Sequence, residues 1–366
     1  MKYFLIAGEA SGDLHGSNLI NALKHYDKDA EFMFWGGDKM AEASSQKPQK
    51  HISELAIMGF LEVIANLGTI RNNFKIIKKQ IADFKPNAVI FIDFPGFNLR
   101  VAPFVKSLGI GTYYYISPKV WAWKKKRVFK IKKSIDVLYS ILPFEVDFFN
   151  KFDYKVEYIG NPLMDAIEDF KNNNPEIISE NKKLIAILPG SREQELKRIL
   201  PTMIKVADSI DDYNFVIAGA PNFDIKYYES FFKKRKYPVE FDSTYSILSR
   251  AESAMVTSGT ATLETALFNI PQVVCYKANS VSYVIAKNLV NIKYISLVNL
   301  ILDKLAVVEL IQNDMNTAQV RSELLKTLEG GESREQMLKD YSKLIKIVGG
   351  AGASMRAAED IVKRLR

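Results

Sequence analysis

Seven consecutive residues, Ser258-Gly259-Thr260-Ala261-Thr262-Leu263-Glu264, place three hydroxyls, a glycine and a carboxylate just after an apolar run ending at Val256. Small residues that open a helix leave its first backbone N–H groups accessible. Those groups and the positive end of the helix dipole favour an anion. A nucleoside diphosphate suits this composition, with Glu264, one turn in, accepting from both ribose hydroxyls. A plain Ser or Thr N-cap accounts for Ser258 or Thr260, but not for the whole segment.

Three other segments carry candidate chemistry. Leu188-Pro189-Gly190-Ser191-Arg192 ends an apolar run with a glycine that permits close backbone approach and a cationic fork suited to a pyrophosphate. Its alternative is an arginine satisfied by Glu193 or Glu195. Asp93 ends the run Ala88–Ile92. It reads either as a base whose apolar neighbours raise its pKa or as a cap for the next turn. Gly8-Glu9-Ala10-Ser11-Gly12-Asp13 is no GxGxxG fingerprint, because Glu9 and Asp13 would repel a pyrophosphate; sugar or headgroup contacts from Glu9, Ser11 and Asp13 fit better. Trp121 and Trp123 read equally as core packing or as a platform for a sugar or acyl chain.

These residues need elements to hold them. Tyr3–Ala7, Glu31–Trp35, Ala88–Asp93, Thr112–Ile116 and Val137–Ile141 read as buried parallel strands, with helical spacing at Leu14–His25, Thr69–Phe84 and Leu99–Leu108 between them. The pattern restarts after a polar stretch at Asp169–Lys183, with strands at Leu184–Leu188, Asn214–Ala218, Ser253–Val256 and Gln272–Tyr276. Such alternation predicts an α/β protein of two Rossmann-like halves hinged near residues 160–180. In that architecture ligands sit beyond the carboxyl ends of the strands, where all four segments fall.

Composition sets the remaining limits. The 366 residues suffice for two cores, and no apolar run is long enough to span a membrane. Gly8-Glu9 breaks the first apolar run early, so the N-terminus reads as a strand rather than a signal peptide and the expected location is cytoplasmic. A single cysteine, Cys275, reads as a buried thiol. Three scattered histidines (His15, His25, His51) argue against a metal site, and Asp27-Lys28-Asp29 reads as a surface loop rather than a metal-binding pair of aspartates. The net charge of +8 gathers in clusters such as Lys124-Lys125-Lys126-Arg127. They are solvated helix faces or a surface for anionic lipid or an acidic substrate. No RNA-binding motif accompanies them, so nucleic acid ranks last. Met58–Leu67 beside Arg71, Lys75, Lys78 and Lys79 is either a membrane-facing wedge or a buried helix pair.

Taken in order, these segments resemble the bacterial lipid-A-disaccharide synthase family. The likeness spans Ala7–Asp13, Met58–Val63, Asp93–Asn98, Ser117–Trp123, Arg127–Ile131, Leu142–Glu145, Gly160–Pro162, Leu188–Arg192 and Ser258–Glu264. It implies the GT-B fold, two Rossmann-like domains facing across a cleft. Residues 1–165 would form the acceptor and lipid domain, 166–345 the UDP-sugar domain, and 346–366 a helix packing back on the first.

The resemblance further implies a metal-independent, cofactor-free, inverting transfer of 2,3-diacylglucosamine from UDP to 2,3-diacylglucosamine 1-phosphate. Asp93 would be the base and Arg192 the phosphate contact. Substrate contacts would come from Glu9, Ser11, Asp13, Asn98, Gly190, Ser191, Ser258, Gly259, Thr260, Ala261 and Glu264, with uracil and ribose contacts from Asn299, Glu309 and Gln312. Peripheral contact with the inner-membrane surface follows from the acyl chains, and a homodimer is compatible. The chain departs from the family pattern at Val298, Leu302-Asp303 and Val308, next to those nucleoside contacts. Rival readings are a UDP-GlcNAc-using transferase of peptidoglycan synthesis, a UDP-GlcNAc 2-epimerase, and a non-catalytic nucleotide- or lipid-binding protein.

Overall fold

A computed structural model describes residues 1–55, 67–123, 125–174, 183–279 and 293–366. The chain forms two compact units, Met1–Asp165 with Gly350–Arg366, and Ala166–Gly349. The stretch Met58–Leu67 lies, apart from the backbone of its last residue, outside the described residues, as does Lys124.

The first unit is a parallel sheet of seven strands: β1 (Lys2–Ile6), β2 (Glu31–Gly36), β3 (Lys50–His51), β4 (Ala88–Ile92), β5 (Gly111–Tyr115), β6 (Val137–Ser140) and β7 (Glu157–Tyr158). Their order is β3-β2-β1-β4-β5-β6-β7. Both faces of the central strands are buried, which is why they read as unbroken apolar runs. Tyr3 and Leu5 of β1 pack with the helices Ala10–Tyr26 and Ala353–Leu365. Phe4 and Ile6 pack on the other face with Ile77, Ile81, Phe97, Val101 and Val128. The chain therefore leaves β1 and β4 towards opposite faces, and the tips of these adjacent strands form the switch point where such sheets leave a crevice.

Two carboxylates are spent on holding this unit. Asp165 accepts from the N–H groups of Gly352, Ala353 and Ser354 at 2.6, 3.1 and 2.9 Å, capping the last helix. Asp27, from the loop read as a surface turn, accepts the Tyr3 hydroxyl at 3.0 Å.

The second unit repeats the plan with β8 (Leu184–Leu188), β9 (Asn214–Gly219), β10 (Val239–Phe241), β11 (Ser253–Thr257), β12 (Gln272–Tyr276) and β13 (Glu309–Ile311), all parallel in the order β10-β9-β8-β11-β12-β13. Ile185 and Ile187 face one core and Ala186 and Leu188 the other. Cys275 is free and buried, and burial pushes its thiol up to about 12. The second switch point lies between the tips of β8 and β11. Among the described residues no helix is long and apolar enough to cross a membrane.

Candidate functional site

In the first unit, β4 hands over to the helix Pro95–Ser107 through two consecutive left-handed residues, Asp93 (φ 42°) and Phe94 (φ 48°). Neither is glycine, so each conformation costs of order 1–3 kcal/mol and has to be held by its surroundings. The Tyr114 hydroxyl donates to the Asp93 carbonyl at 2.5 Å, and the amide of the fully buried Asn98 donates to the same oxygen at 2.8 Å. The Asp93 N–H reaches back to the Tyr115 carbonyl at 3.2 Å. The Phe94 ring lies on Gly8, where a Cβ would run into it, and stacks on Phe97 with centroids 5.5 Å apart. Phe97 continues the stack to Phe74 and Trp35.

This clamp fixes a half-buried carboxyl. Burial pushes the Asp93 pKa up, opposed by Lys119; Glu9 adds to the rise and the Phe94 N–H opposes it. The net shift is upward, which makes Asp93 a stronger base than an exposed aspartate. No side chain caps the helix that follows, so Asp93 is not its cap. Glu9 and Ser11 are exposed beyond β1. Asp13 is buried and accepts from Gly37, Lys39 and Met40 N–H groups at 2.6, 3.1 and 3.1 Å, which caps the helix Asp38–Ser44.

The next turn along the sheet carries Lys119 and Trp121. The Trp121 indole donates to Glu145 Oε1 at 3.1 Å and meets Phe144 edge-on. Glu145 Oε2 accepts from the Ser140 hydroxyl at 2.9 Å and from the Leu142 and Ile141 N–H groups at 3.3 and 3.4 Å. Glu145 is fully buried, and burial lifts it to about 7 against the pull of these donors; Tyr158 is the titratable group that senses its charge.

In the second unit, β11 is followed by Ser258 and by Gly259, whose φ of 152° with ψ of −157° suits glycine alone. The helix Thr260–Leu267 has no side-chain cap, so the N-terminus is open to an anion. Ser258 donates to the Ile295 carbonyl at 3.0 Å and Thr262 to the Gly259 carbonyl at 2.8 Å, so both hydroxyls shape the turn, while Thr260 is exposed. Glu264 is held by the Tyr245 hydroxyl at 3.1 Å, and Tyr245 is wedged against Phe170 and Phe268. Burial raises the Glu264 pKa, and the tyrosine's hydrogen bond opposes that rise.

Across the switch point, Gly190 (φ 102°) packs against Glu195 and Thr257. Ser191 and Arg192 follow, exposed. Arg192 does pair with Glu195, at 3.4 Å, but its side chain is 59% exposed. Such a surface pair contributes at most about 1 kcal/mol and yields readily to a phosphate.

Asn299 is fully buried and has every hydrogen-bonding position occupied. Its amide donates to Val307 O and Glu309 Oε1, both at 2.8 Å, and its oxygen accepts from Ala306 and Val307 N–H at 2.8 and 2.9 Å. Glu309 binds the Ile295 and Ser296 N–H groups, and Gln312 the Ala278 N–H at 2.9 Å. Among the described residues no group of three His, Cys, Asp or Glu side chains is disposed to hold a metal.

Sequence reasoning did not single out Tyr114 or Tyr245, and quoted Glu145 only inside a motif. The signals were faint: Tyr114 shares a sheet face with Phe91, and Glu145 stands where a capping box places its acid.

Comparison with known proteins places the chain. The family model for lipid-A-disaccharide synthetase matches residues 3–363. A lipid-A-disaccharide synthase of Psychromonas ingrahamii is 37% identical over 99% of this chain and 97% of its own length. One of Syntrophus aciditrophicus is 34% identical over 97% and 95%. Among solved structures, the UDP-GlcNAc 2-epimerase of Neisseria meningitidis bound to UDP-GlcNAc superposes with a TM-score of 0.68 at 14% identity, covering 99% of this chain and all of that one. The glycotransferase of kitacinnamycin gives 0.64 at 13%, covering 100% and 99%. At such identities the likeness concerns the fold, which is GT-B.

The Glu145–Trp121 contact generates a pH prediction. A carboxyl raised from its ordinary 4.5 to about 7 binds an extra proton in the folded chain, so its contribution to stability falls as pH rises through that window. A proton on either oxygen opposes a donor already aimed at it. Tryptophan emission is expected to titrate with a midpoint near pH 7 and to lose that step in Glu145→Gln. An identical titration in the variant contradicts the contact.

Proposed function

The chain belongs to the lipid-A-disaccharide synthase family, and on that premise we propose how its two units divide the reaction. It is a glycosyltransferase of lipid A biosynthesis. The reaction moves 2,3-diacylglucosamine from UDP onto the 6-hydroxyl of 2,3-diacylglucosamine 1-phosphate, giving a β-1,6 disaccharide and UDP. Asp93 removes the hydroxyl proton, the oxygen attacks the anomeric carbon from the face opposite UDP, and the bond from that carbon to the diphosphate oxygen breaks with inversion. The observation that carries this reading is the clamped Asp93 carboxyl, raised in pKa at the end of β4.

In the second unit, the N–H groups opening at Gly259, Thr260 and Ala261 take the charge that develops on the leaving diphosphate, together with Arg192. Gly190 and Ser191 let the backbone approach it. Glu264, oriented by Tyr245, receives the ribose hydroxyls. Glu309 and Gln312 hold the backbone beside the nucleoside, and Asn299 supports them. In the first unit, Glu9 and Ser11 face the acceptor sugar, Asp13 serves the framework, since its carboxylate already binds backbone, and the Asn98 amide nitrogen holds the Asp93 carbonyl. Full-length relatives at 34–37% identity favour a transferase over the epimerase reading, which rests on fold likeness alone.

The base assignment is tested by UDP release from the two diacylglucosamine substrates. Asp93→Asn is expected to lower kcat by about 10²–10⁴-fold with little change in the donor's KM. A near-normal rate contradicts it.

Acylated substrates call for work at the cytoplasmic face of the inner membrane. Support comes from Phe129, which lies within a strongly cationic stretch, is 61% exposed and meets Phe152 edge-on. Cosedimentation with phosphatidylglycerol vesicles is expected at low salt and weaker for Phe129→Asp. No sedimentation of the unaltered chain contradicts this placement.

A further inference from the structure

Between Asp93 and Asp136 the chain has ten lysines and arginines and no acidic residue. Lys106 is neutralised by Asp136. Arg100, on the helix Pro95–Ser107, and Arg127 and Lys130, on the adjacent helix Arg127–Ser134, have no ion-pair partner among the described residues. The two helices pack together, with Val101 and Val128 in one core. Arg127 and Lys130 are one turn apart and so share a face, while Val128 and Ile131 of the same helix are buried. The three charges sense one another: burial, Arg100 and Arg127 together hold the Lys130 ammonium below its usual value. Burial pushes the Tyr114 pKa well up and Asp93 adds to the rise, while Arg127 is among the groups that oppose it; the same hydroxyl is the one bonded to the Asp93 carbonyl. Arg100 stands in the second turn of the helix that follows Asp93, so the cluster sits on the element next to the base and on the helix packed against it.

We propose that Arg100, Arg127 and Lys130 form the subsite for the acceptor's phosphate. This inference rests on the reading that the acceptor is a sugar 1-phosphate. Its attacking hydroxyl is on C6 and its phosphate on C1, and the ring carbons that carry them, C5 and C1, flank the ring oxygen of one pyranose, so a phosphate site belongs within about a sugar's width of Asp93. Two planar guanidinium forks and an ammonium match the three terminal oxygens of a phosphate dianion, and like charges held together without a carboxylate are relieved by such a ligand. The same chemistry would also accept the headgroups of an anionic lipid surface, and the experiment separates the two sources.

Steady-state kinetics of the full chain in neutral detergent micelles are measured with the acceptor and with the same acceptor lacking its phosphate. Arg127→Gln and Lys130→Gln are each expected to raise KM for the phosphorylated acceptor about tenfold, the scale of one charge-assisted hydrogen bond. KM for the UDP-sugar and for the phosphate-free acceptor should stay within about twofold, a pattern that a misfolded or merely destabilised variant does not give. Unchanged KM for the phosphorylated acceptor overturns the subsite. So does a loss confined to binding of phosphatidylglycerol vesicles, which assigns the cluster to lipid headgroups. Binding of glucosamine 1-phosphate, followed by phosphorus NMR, needs no turnover. It is expected in the unaltered chain and lost in the double variant, and binding that survives in the variant overturns the subsite. Phosphate binding by a chain that releases no UDP would support the subsite while contradicting the proposed reaction.

Discussion

The reversal of strand order between β1 and β4, and again between β8 and β11, is the constraint on which the rest depends. Where neighbouring parallel strands send their chains to opposite faces, neither following helix can close over the gap between their tips. Four turns border these two gaps: Gly8–Asp13, Asp93–Asn98, Gly190–Arg192 and Ser258–Glu264. The residues proposed for proton transfer and for the diphosphate come from these turns, where side chains and helix N-termini stand at the end of a rigid sheet.

The two units solve the same geometric problem differently. A sharp exit from a strand calls for unusual backbone angles, and glycine is the least costly way to supply them. The second unit uses it at Gly190 and Gly259, where the proposed diphosphate contacts come from the backbone and no side chain is required. In the proposed reaction the first unit presents a carboxylate, so glycine cannot serve. Asp93 and Phe94 instead take left-handed angles, and the cost is met by the Tyr114 hydroxyl, the Asn98 amide and a phenylalanine ring seated on Gly8. The strain, the clamp and the aromatic stack Phe94–Phe97–Phe74 thus serve one end, a carboxyl whose direction is fixed before substrate arrives.

Much of this was legible in the residues. The nine strands read from apolar runs all formed, and Gln272–Tyr276 formed to the residue, because burial on both faces leaves an unbroken signal. Lys50–His51, Glu157–Tyr158, Val239–Phe241 and Glu309–Ile311 were not read. They are two- or three-residue strands near the sheet edges, too short and too polar to show a pattern. The turns were legible for the same reason that they are open: glycine, hydroxyls and charge directly after a strand. Which polar residue faces a ligand was not. Asp13 and Asn299 have the composition of contacts, yet the hydrogen bonds of Asp13 go to backbone at Gly37–Met40 and those of Asn299 to the backbone of Ala306 and Val307 and to Glu309. Tyr114 and Tyr245 act through partners 21 and 19 positions away, and no local spacing announces such a pair.

In the proposed reaction the switch point of the second unit receives the nucleoside diphosphate and that of the first holds the base. Hydrogen–deuterium exchange of the full chain with and without UDP distinguishes the two. Slowed exchange is expected at residues 190–195 and 258–264, where backbone N–H groups would meet the diphosphate, with residues 8–13 and 93–98 unaffected. Protection at 8–13 or 93–98, with none at 258–264, would contradict it.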